Sequence, residues 1–483
     1  MTAQTILPAN SAASGGFEVA NSIRLDGNAY MYKDQSGGNR QKFTMSCWTK
    51  LTSGYGASAG SLLSVNGTDD DTNFHFGIDH GDASGGASDS LFCHIYGADA
   101  FRTTPLLRDY SAWYHIVLAV DTTQAAAENR MKVYVNNVQQ TLSQQGDYPE
   151  QNDNFGVNEN GARLGVGTHP GSVAAYALNS YLCEYVLIDG SQLTPASFGE
   201  ADEDSGIWKP IKVSGLTFGT NGFYLDFQAS GNLGNDANGG TDLTEVSIAA
   251  TDQSTDTCTN NFCTMNALDN FYAASTLSEG NLKVLTISGN AAYNPATFGL
   301  TKGKWYWEVK LVTCSAGDNS EATIIGISNQ SPVNAGYTGS IVVNDGLGIR
   351  GDGNAWGADG SAGGGASTSG WDAIAVGNTA MIAVDFDNGK LYHGINGTWG
   401  NSGDPTSGST GTGAYAFTVG TDAWFPGVNQ RETSQTATFE LNFGSPPYAI
   451  SSGNTDGDGF GNFEYAVPSG YFALCTKNLA EYG

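Results

Sequence analysis

Apolar and polar positions alternate with a period of two along most of the chain, in short runs broken by Gly, Asn and Asp. The pattern is clearest in VGNTAMIAVDFDNGKLYHGINGTW, Val376 to Trp399. It alternates, stops at Asp387-Asn388-Gly389, and resumes from Lys390 to Ile395. This predicts a β-hairpin, with Asn388-Gly389 as the positive-φ pair of a type I′ turn and Asn396-Gly397 as a second turn ending the returning strand. A looser copy lies earlier, WYHIVLAVD (Trp113 to Asp121), then a polar excursion, then MKVYVNNV (Met131 to Val138). Both copies pass through Ala-Val-Asp and end in a Tyr-bearing strand followed by Asn, so two β-sandwich domains of related architecture are expected.

Individual strands assign their own faces. In FTMSCWTK, Phe43, Met45 and Cys47 fall on one side and Trp48 on the other. In GKWYWEVKLV, Trp305, Trp307 and Val309 oppose Tyr306, Glu308 and Lys310. One of the few helix candidates is Leu193 to Phe198, with Thr194 placed to cap and Pro195 at the first helical position.

Length and composition bound this picture. A chain of 483 residues exceeds one hydrophobic core, and 66 glycines with only 14% charged residues fit many turns between short strands. The expected division is an N-terminal arm over 1–16, a first sandwich over 17–201, an ordered Gly/Asn/Asp-rich connector over 202–269, and a second sandwich with a C-terminal extension over 270–483. The connector carries Trp208, Phe218, Phe223, Tyr224 and Phe227, too many aromatics for a loose tether.

The formal charge of −28 repels phosphate backbones and anionic membranes, so neither nucleic acid nor membrane insertion is expected. Solubility is the plainer use of this acidity, with cation binding as the competing one. No run of apolar residues is long enough to span a bilayer, and no basic region followed by an apolar stretch marks a secretory signal. Seven cysteines without a metal-type pair argue against a disulfide framework; Cys258 and Cys263, in a polar loop, are the candidates for a bridge.

The strands WYHIVLAVD, KVYVNNV and YLCEYVLIDG resemble the laminin-G-like, concanavalin-A-type sandwich over about Phe17 to Glu200. GKWYWEVKLV, ATIIGIS, the opening hairpin and AWFPGV resemble a SPRY domain, also of concanavalin-A-like topology. The connector motif TDTCTNNFCTMN and the closing GNTDGDGFGNFEYAVPSGYFALCTKNL are similar to virion proteins of tailed bacteriophages that place a laminin-G-like domain before a SPRY-like one. That family often has Pro and Ala where this chain has Cys258 and Cys263. The resemblance implies a non-enzymatic virion structural protein made in the bacterial cytoplasm: a short tail fibre or receptor-binding appendage, or a capsid decoration. Its partners would be other virion proteins, through the N-terminal arm, and host-surface carbohydrate. A homo-oligomer is implied, trimers being common in fibres, although nothing in the sequence counts subunits. The alternatives are a concanavalin-A-like carbohydrate-active enzyme and a SPRY-type peptide-binding adaptor.

Candidate chemistry is sparse. Retaining glycoside hydrolysis needs two carboxyls about 5 to 5.5 Å apart. The nearest acidic run, Glu200 to Asp204, lacks intervening apolar residues and reads as a solvated loop. The six histidines show no metal-ligand spacing; His75 and His80 should point to opposite faces, and His115 reads as a packed strand residue. Calcium has two candidate loops. Asn454, Asp456 and Asp458 stand at the first ligand positions of an EF-hand-like loop whose register then fails at Glu464, so a plain Asx-Gly turn competes. Asp69 to Asp71 is the other. Tyr337, Trp356, Trp371 and Trp399, flanked by Gly and polar residues, are the candidate ligand platforms, each weighed against packing onto its own sandwich.

Overall fold

The computed structural model describes residues 16–53, 59–67, 73–79, 89–95, 98–144, 148–269, 275–287, 292–318, 320, 322–329, 346–357, 368–430 and 434–483. It is built almost entirely of β-strands and short 3-10 turns, with one α-helix, Thr476–Tyr482, among the described residues. The chain divides into two compact units, one ending at Thr259 and the other running from Asn260 to Gly483.

In the N-terminal unit two sheets face each other. The first has the order Val138–Gln139, Met131–Val135, Trp113–Asp121, Lys42–Leu51, Asn179–Asp189, Ser22–Asp26, Gln253–Ser254. The second has the order Leu142–Gln144, Ala98–Thr103, Ser90–Ile95, Phe74–Asp79, Ala59–Asn66, Arg163–Val166, Tyr30–Asp34, Thr244–Val246. All of these pairings are antiparallel. Phe43, Met45 and Cys47 meet Leu63, Phe74 and Phe76 in the core between them, and Trp48 lies on the outer side, as period-two geometry requires.

The outer side of the first sheet is covered by the stretch after Asp189. Trp208 and Cys258 join Trp48, Trp113, Tyr181 and Cys183 in one buried cluster, and Phe198 and Phe218 join Val117, Val186 and Ile188 in another. Phe223–Leu225 adds to the Asn179–Asp189 strand, and Gln253–Ser254 to the Ser22–Asp26 strand. The aromatics of this stretch are therefore packing residues of the first unit. Its end is pinned by Asp256, which takes Lys50 Nζ at 2.8 Å and the Trp113 indole N–H at 3.1 Å, all buried. An ion pair removed from water persists only when its oxygens find such extra donors.

The C-terminal unit repeats the plan. One sheet runs Thr276–Ser278, Lys283–Leu285, Ala437–Asn442, Lys304–Cys314, Thr379–Asp385, Lys390–Ile395, Thr398–Trp399; the other runs Ala292–Pro295, Phe425–Gln430, Thr323–Ser328, Gly346–Arg350, Asn354–Gly357, Thr368–Ser369. Trp305, Trp307 and Val309 enter the core between the sheets. Tyr306, Met381, Ala383 and Tyr392 face outward, where Phe463, Tyr471 and Cys475 cover them.

Turn chemistry follows the sequence in two places and departs from it in a third. Asn136-Asn137 and Asn396-Gly397 both have positive φ and join directly paired strands, the I′ arrangement. At the opening hairpin Asp385 pairs with Lys390, so the loop is Phe386 to Gly389 and Gly389 alone has positive φ. Asp385 accepts hydrogen bonds from the Asn388 backbone and side chain at 3.0 and 2.8 Å, an Asx-type closure that replaces the two-residue turn. The helix expected at Leu193 to Phe198 is a single 3-10 turn, Pro195–Ser197, without a side-chain cap from Thr194.

Candidate functional site

The outward positions of the second sheet of the N-terminal unit gather three histidines. His75 and His94 are direct cross-strand partners on Phe74–Asp79 and Ser90–Ile95, both at positions whose neighbours in sequence enter the core. His169 comes from the loop after Arg163–Val166, which is held over the sheet by Ser64 Oγ donating to the Thr168 carbonyl at 2.6 Å and Thr168 Oγ1 donating to the Val173 carbonyl at 3.0 Å. The loop passes close to the Asn66 side chain: a Cβ at Gly171 would sit 2.7 Å from Asn66 Oδ1.

These elements border a cavity of about 380 Å³ lined by Asn66, Asn73, His75, His94, His169 and Tyr176, with Phe74, Gly171 and Ser172 completing it. His75 is its centre: its ring lies 4.4 Å from Tyr176, 5.7 Å from His169 and 6.1 Å from His94, centroid to centroid. His75 is 3% exposed, and its Nε2 has no hydrogen-bond partner. Burial first, then the neighbouring imidazoles of His169 and His94, hold His75 well below the ordinary histidine pKa. His169, half-buried, is lowered for the same reasons. The ring nitrogens do not converge on one point: no group of three His, Cys, Asp or Glu side chains among the described residues is arranged to hold a metal ion. A half-exposed tyrosine face, polar side chains at the rim and a neutral imidazole floor suit a small polar ligand with a stackable ring.

Spacing along the sequence hid this site, because no two of the three histidines are close neighbours in the chain. The usable signal was strand phase, since FHFGID and SLFCHI each place histidine at an outward position.

The residues singled out in the sequence fall elsewhere. Trp371 is a correction: it is 8% exposed and packs in the core of the C-terminal unit, 6.2 Å from Tyr415, so its ring offers no face to a ligand. Trp399 is half-buried against Tyr306 and Tyr392, at 6.4 and 6.5 Å. Tyr337, Asp69 to Asp71, His80 and the Trp356 side chain lie outside the described residues.

In the Asn454 to Asp458 loop, Asp456 Oδ1 accepts from the amides of Asp458 (3.0 Å) and Phe460 (2.9 Å). Its Oδ2 accepts from the Ala473 amide (2.9 Å) and Asn478 Nδ2 (2.7 Å). Asp458 accepts from the Tyr482 hydroxyl at 2.9 Å, and Asn454 pairs with Phe463 across a bridge. Protein donors thus occupy both oxygens of Asp456, in an Asx turn.

Cys258 and Cys263 do not face each other. Cys258 Sγ lies 3.6 Å from Cys183 Sγ in the N-terminal unit, whereas Cys263 contacts Thr297 in the C-terminal one, and all cysteines are free thiols. The motif TDTCTNNFCTMN straddles the division between units, which separates its two cysteines.

The acidic run at Glu200 is a turn support: Asp202 accepts from the Ser205 amide and hydroxyl and from Lys209 Nζ, contacts that hold its carboxyl well below the usual carboxylate range.

Residues 25–178, which include every side chain lining the cavity, match the family model described as the concanavalin A-like lectin/glucanases superfamily, Laminin_G_3. The N-terminal sandwich is of the concanavalin-A-like type. No curated protein matches the chain. Among solved structures, the SPRY domain of human HERC1 is 16% identical, over 37% of this chain and 96% of that one, with a TM-score of 0.29. A Bacteroides ovatus protein whose name ascribes carbohydrate binding to it is 19% identical, over 49% of this chain and 60% of that one, with a TM-score of 0.36.

Proposed function

We propose that this chain is a non-enzymatic, glycan-binding structural protein of a tailed-phage particle, a short fibre, receptor-binding appendage or capsid decoration that engages sugars on the host surface through its N-terminal sandwich. The observation that carries the binding role is the cavity around His75, on a sandwich matching a lectin and glucanase superfamily, with Tyr176 presented at its edge. The acidic run at Glu200 is committed to a turn through Lys209, which favours binding over hydrolysis. The virion setting rests on the likeness of the connector motif and of the C-terminal stretch to phage proteins. Several copies on one particle would convert weak single-site affinity into avidity.

The test is immunolabelling of purified particles with an antibody to the C-terminal unit, followed by competition of adsorption with the soluble chain. Label at the tail with competition by the wild type, lost in Tyr176→Ala, is the expected result for a receptor-binding appendage; label over the capsid assigns decoration. Particles that carry neither label nor peptides of the chain by mass spectrometry would refute the virion role.

A further inference from the structure

Two of the hydrogen-bond acceptors around the His75 cavity are already taken by backbone amides. Asn73 commits its Oδ1 to the Gly67 amide at 2.9 Å, and His169 commits its Nδ1 to the Gly171 amide at 3.1 Å. With Nδ1 accepting, neutral His169 carries its proton on Nε2. Ser172 and Tyr176 add hydroxyls, and among the described residues no carboxylate lines the cavity. In a chain with 48 acidic residues, such a lining is a local exception. His75 contributes a nine-tenths-buried ring whose Nε2 has no hydrogen-bond partner, a cost in the free protein.

A neutral sugar hydroxyl donates as well as accepts, so a site for it supplies both kinds of partner; a carboxylate only accepts, and suits a donor-rich pocket. We propose that this cavity takes the carboxylate of an acidic sugar, a uronic acid or related residue of a glycan, with His75, His94 and His169 around the carboxylate and Tyr176 against the sugar ring. The proposal rests on the glycan-binding reading above and names its ligand class.

The binding is coupled to protons. The groups facing His75 among the described residues are His94 on the adjacent strand and His169 and Tyr176 on the loop. Asp79 and Arg102, on the same sheet, are paired with each other. Burial and mutual repulsion keep the His75 and His169 imidazoles neutral in the free protein. A carboxylate among them reverses the repulsive term and favours protonation, so the complex takes up protons and affinity rises as pH falls from 7.5 to 5.5.

The test is calorimetry on the full chain with a galacturonate tetrasaccharide, the matched neutral galactose tetrasaccharide and a sulfated galactose oligosaccharide, at pH 5.5 and 7.5. The expected result is uronate binding at least about tenfold tighter than neutral binding at pH 5.5, the scale of a charge-assisted hydrogen bond, and weaker uronate binding at pH 7.5. His94→Gln and His169→Gln, both at half-exposed positions, should lose that preference while keeping the wild-type unfolding midpoint. Histidine ring NMR shifts of the wild type on adding uronate give a second readout that needs no variant. Equal affinity for neutral and acidic sugars would remove the carboxylate and leave glycan binding standing. Preference for the sulfated probe would assign a different anion and overturn the proposal. Failure of all three probes would overturn it too, with the glycan reading then judged by adsorption competition.

Discussion

His115 sits between two tryptophans, stacked on Trp48 at 4.8 Å and on Trp208 at 6.0 Å. The Trp208 indole N–H donates to its Nδ1 at 2.9 Å, which leaves the proton on Nε2, facing Ser46 Oγ at 2.8 Å. An imidazole that donates to a serine cannot act as its base, so this Ser-His pair is a structural clamp. Burial takes His115 down to about 3, does the same to His393, and pushes His75 well below its usual value. Unfolding returns each to an ordinary pKa near 6.5, so the unfolded chain binds protons that the folded one refuses. Stability should therefore fall as pH drops below 6.5, by up to about 1.4 kcal/mol per pH unit for each histidine, read as urea midpoints between pH 7 and 5.

Glu184 works in the opposite sense. It occupies a bulge with φ +49°, accepts from the Tyr224 hydroxyl at 2.6 Å, and is raised by burial to about 7. Its folded form keeps a proton that the unfolded one loses near 4.5, so its contribution disappears as pH rises through 7. Glu184→Gln should raise stability at pH 8 by about 2 kcal/mol and leave it nearly unchanged at pH 4, checked by the same titration. None of this was legible in the sequence beyond His115 being a packed strand residue. Strand phase reports which way a side chain points, not what later segment covers it.

At the scale of elements, the stretch from Asn454 to Tyr482 is organised by one carboxylate. Asp456 holds the Asx turn with one oxygen and, with the other, the Ala473 amide and Asn478, so the segment lies over Tyr306, Met381 and Tyr392. Glu308 ties the same layer down: it accepts from the Tyr465 amide at 2.8 Å, the Glu464 amide at 3.1 Å and Asn442 Nδ2 at 3.1 Å. Asp456→Ala leaves several buried donors unpaired and should cost about 3 kcal/mol or more in denaturant unfolding. Calcium or chelator should not move the wild-type midpoint, since both Asp456 oxygens are already bound; a rise with calcium would support the metal reading. The acidic pattern suggested a cation loop because oxygen spacing looks the same whether the partner is an ion or a set of amides. The hairpin loop misled similarly: Asn388-Gly389 is a turn pair, but the Asp385–Lys390 pairing leaves Phe386 and Asp387 inside the loop.

For the whole molecule, strand alternation and Gly-rich turns sufficed to give two antiparallel sandwiches, because period-two burial is a local property. Where the covering segments belong was not local: Trp208, Phe218 and Tyr224 complete one sheet's outer layer, and Phe223 and Phe227 enter the core between the sheets, only once the chain has folded back. A net charge of −28 opposes the approach of any acidic glycan at long range, even where no described residue lining the cavity is a carboxylate. Uronate association should accordingly quicken by several-fold between about 10 and 150 mM salt, as the Debye length shrinks from about 30 to 8 Å. Stopped-flow rates that fall with salt instead would point to a positively charged docking face.

The pairing of Ser22 with Ser254 has a kinetic consequence. Ser22–Asp26 finds its neighbours only at Asn179–Asp189 and Gln253–Ser254, so the first strand of its sheet waits for most of the unit to be synthesised. Contacts so distant in sequence close late and slowly, and until they form, the edge of Asn179–Asp189 stands open to pairing with a neighbouring chain. Yield on refolding should then depend on protein concentration, since Gln253–Ser254 can join the sheet only after the N-terminal strand is in place.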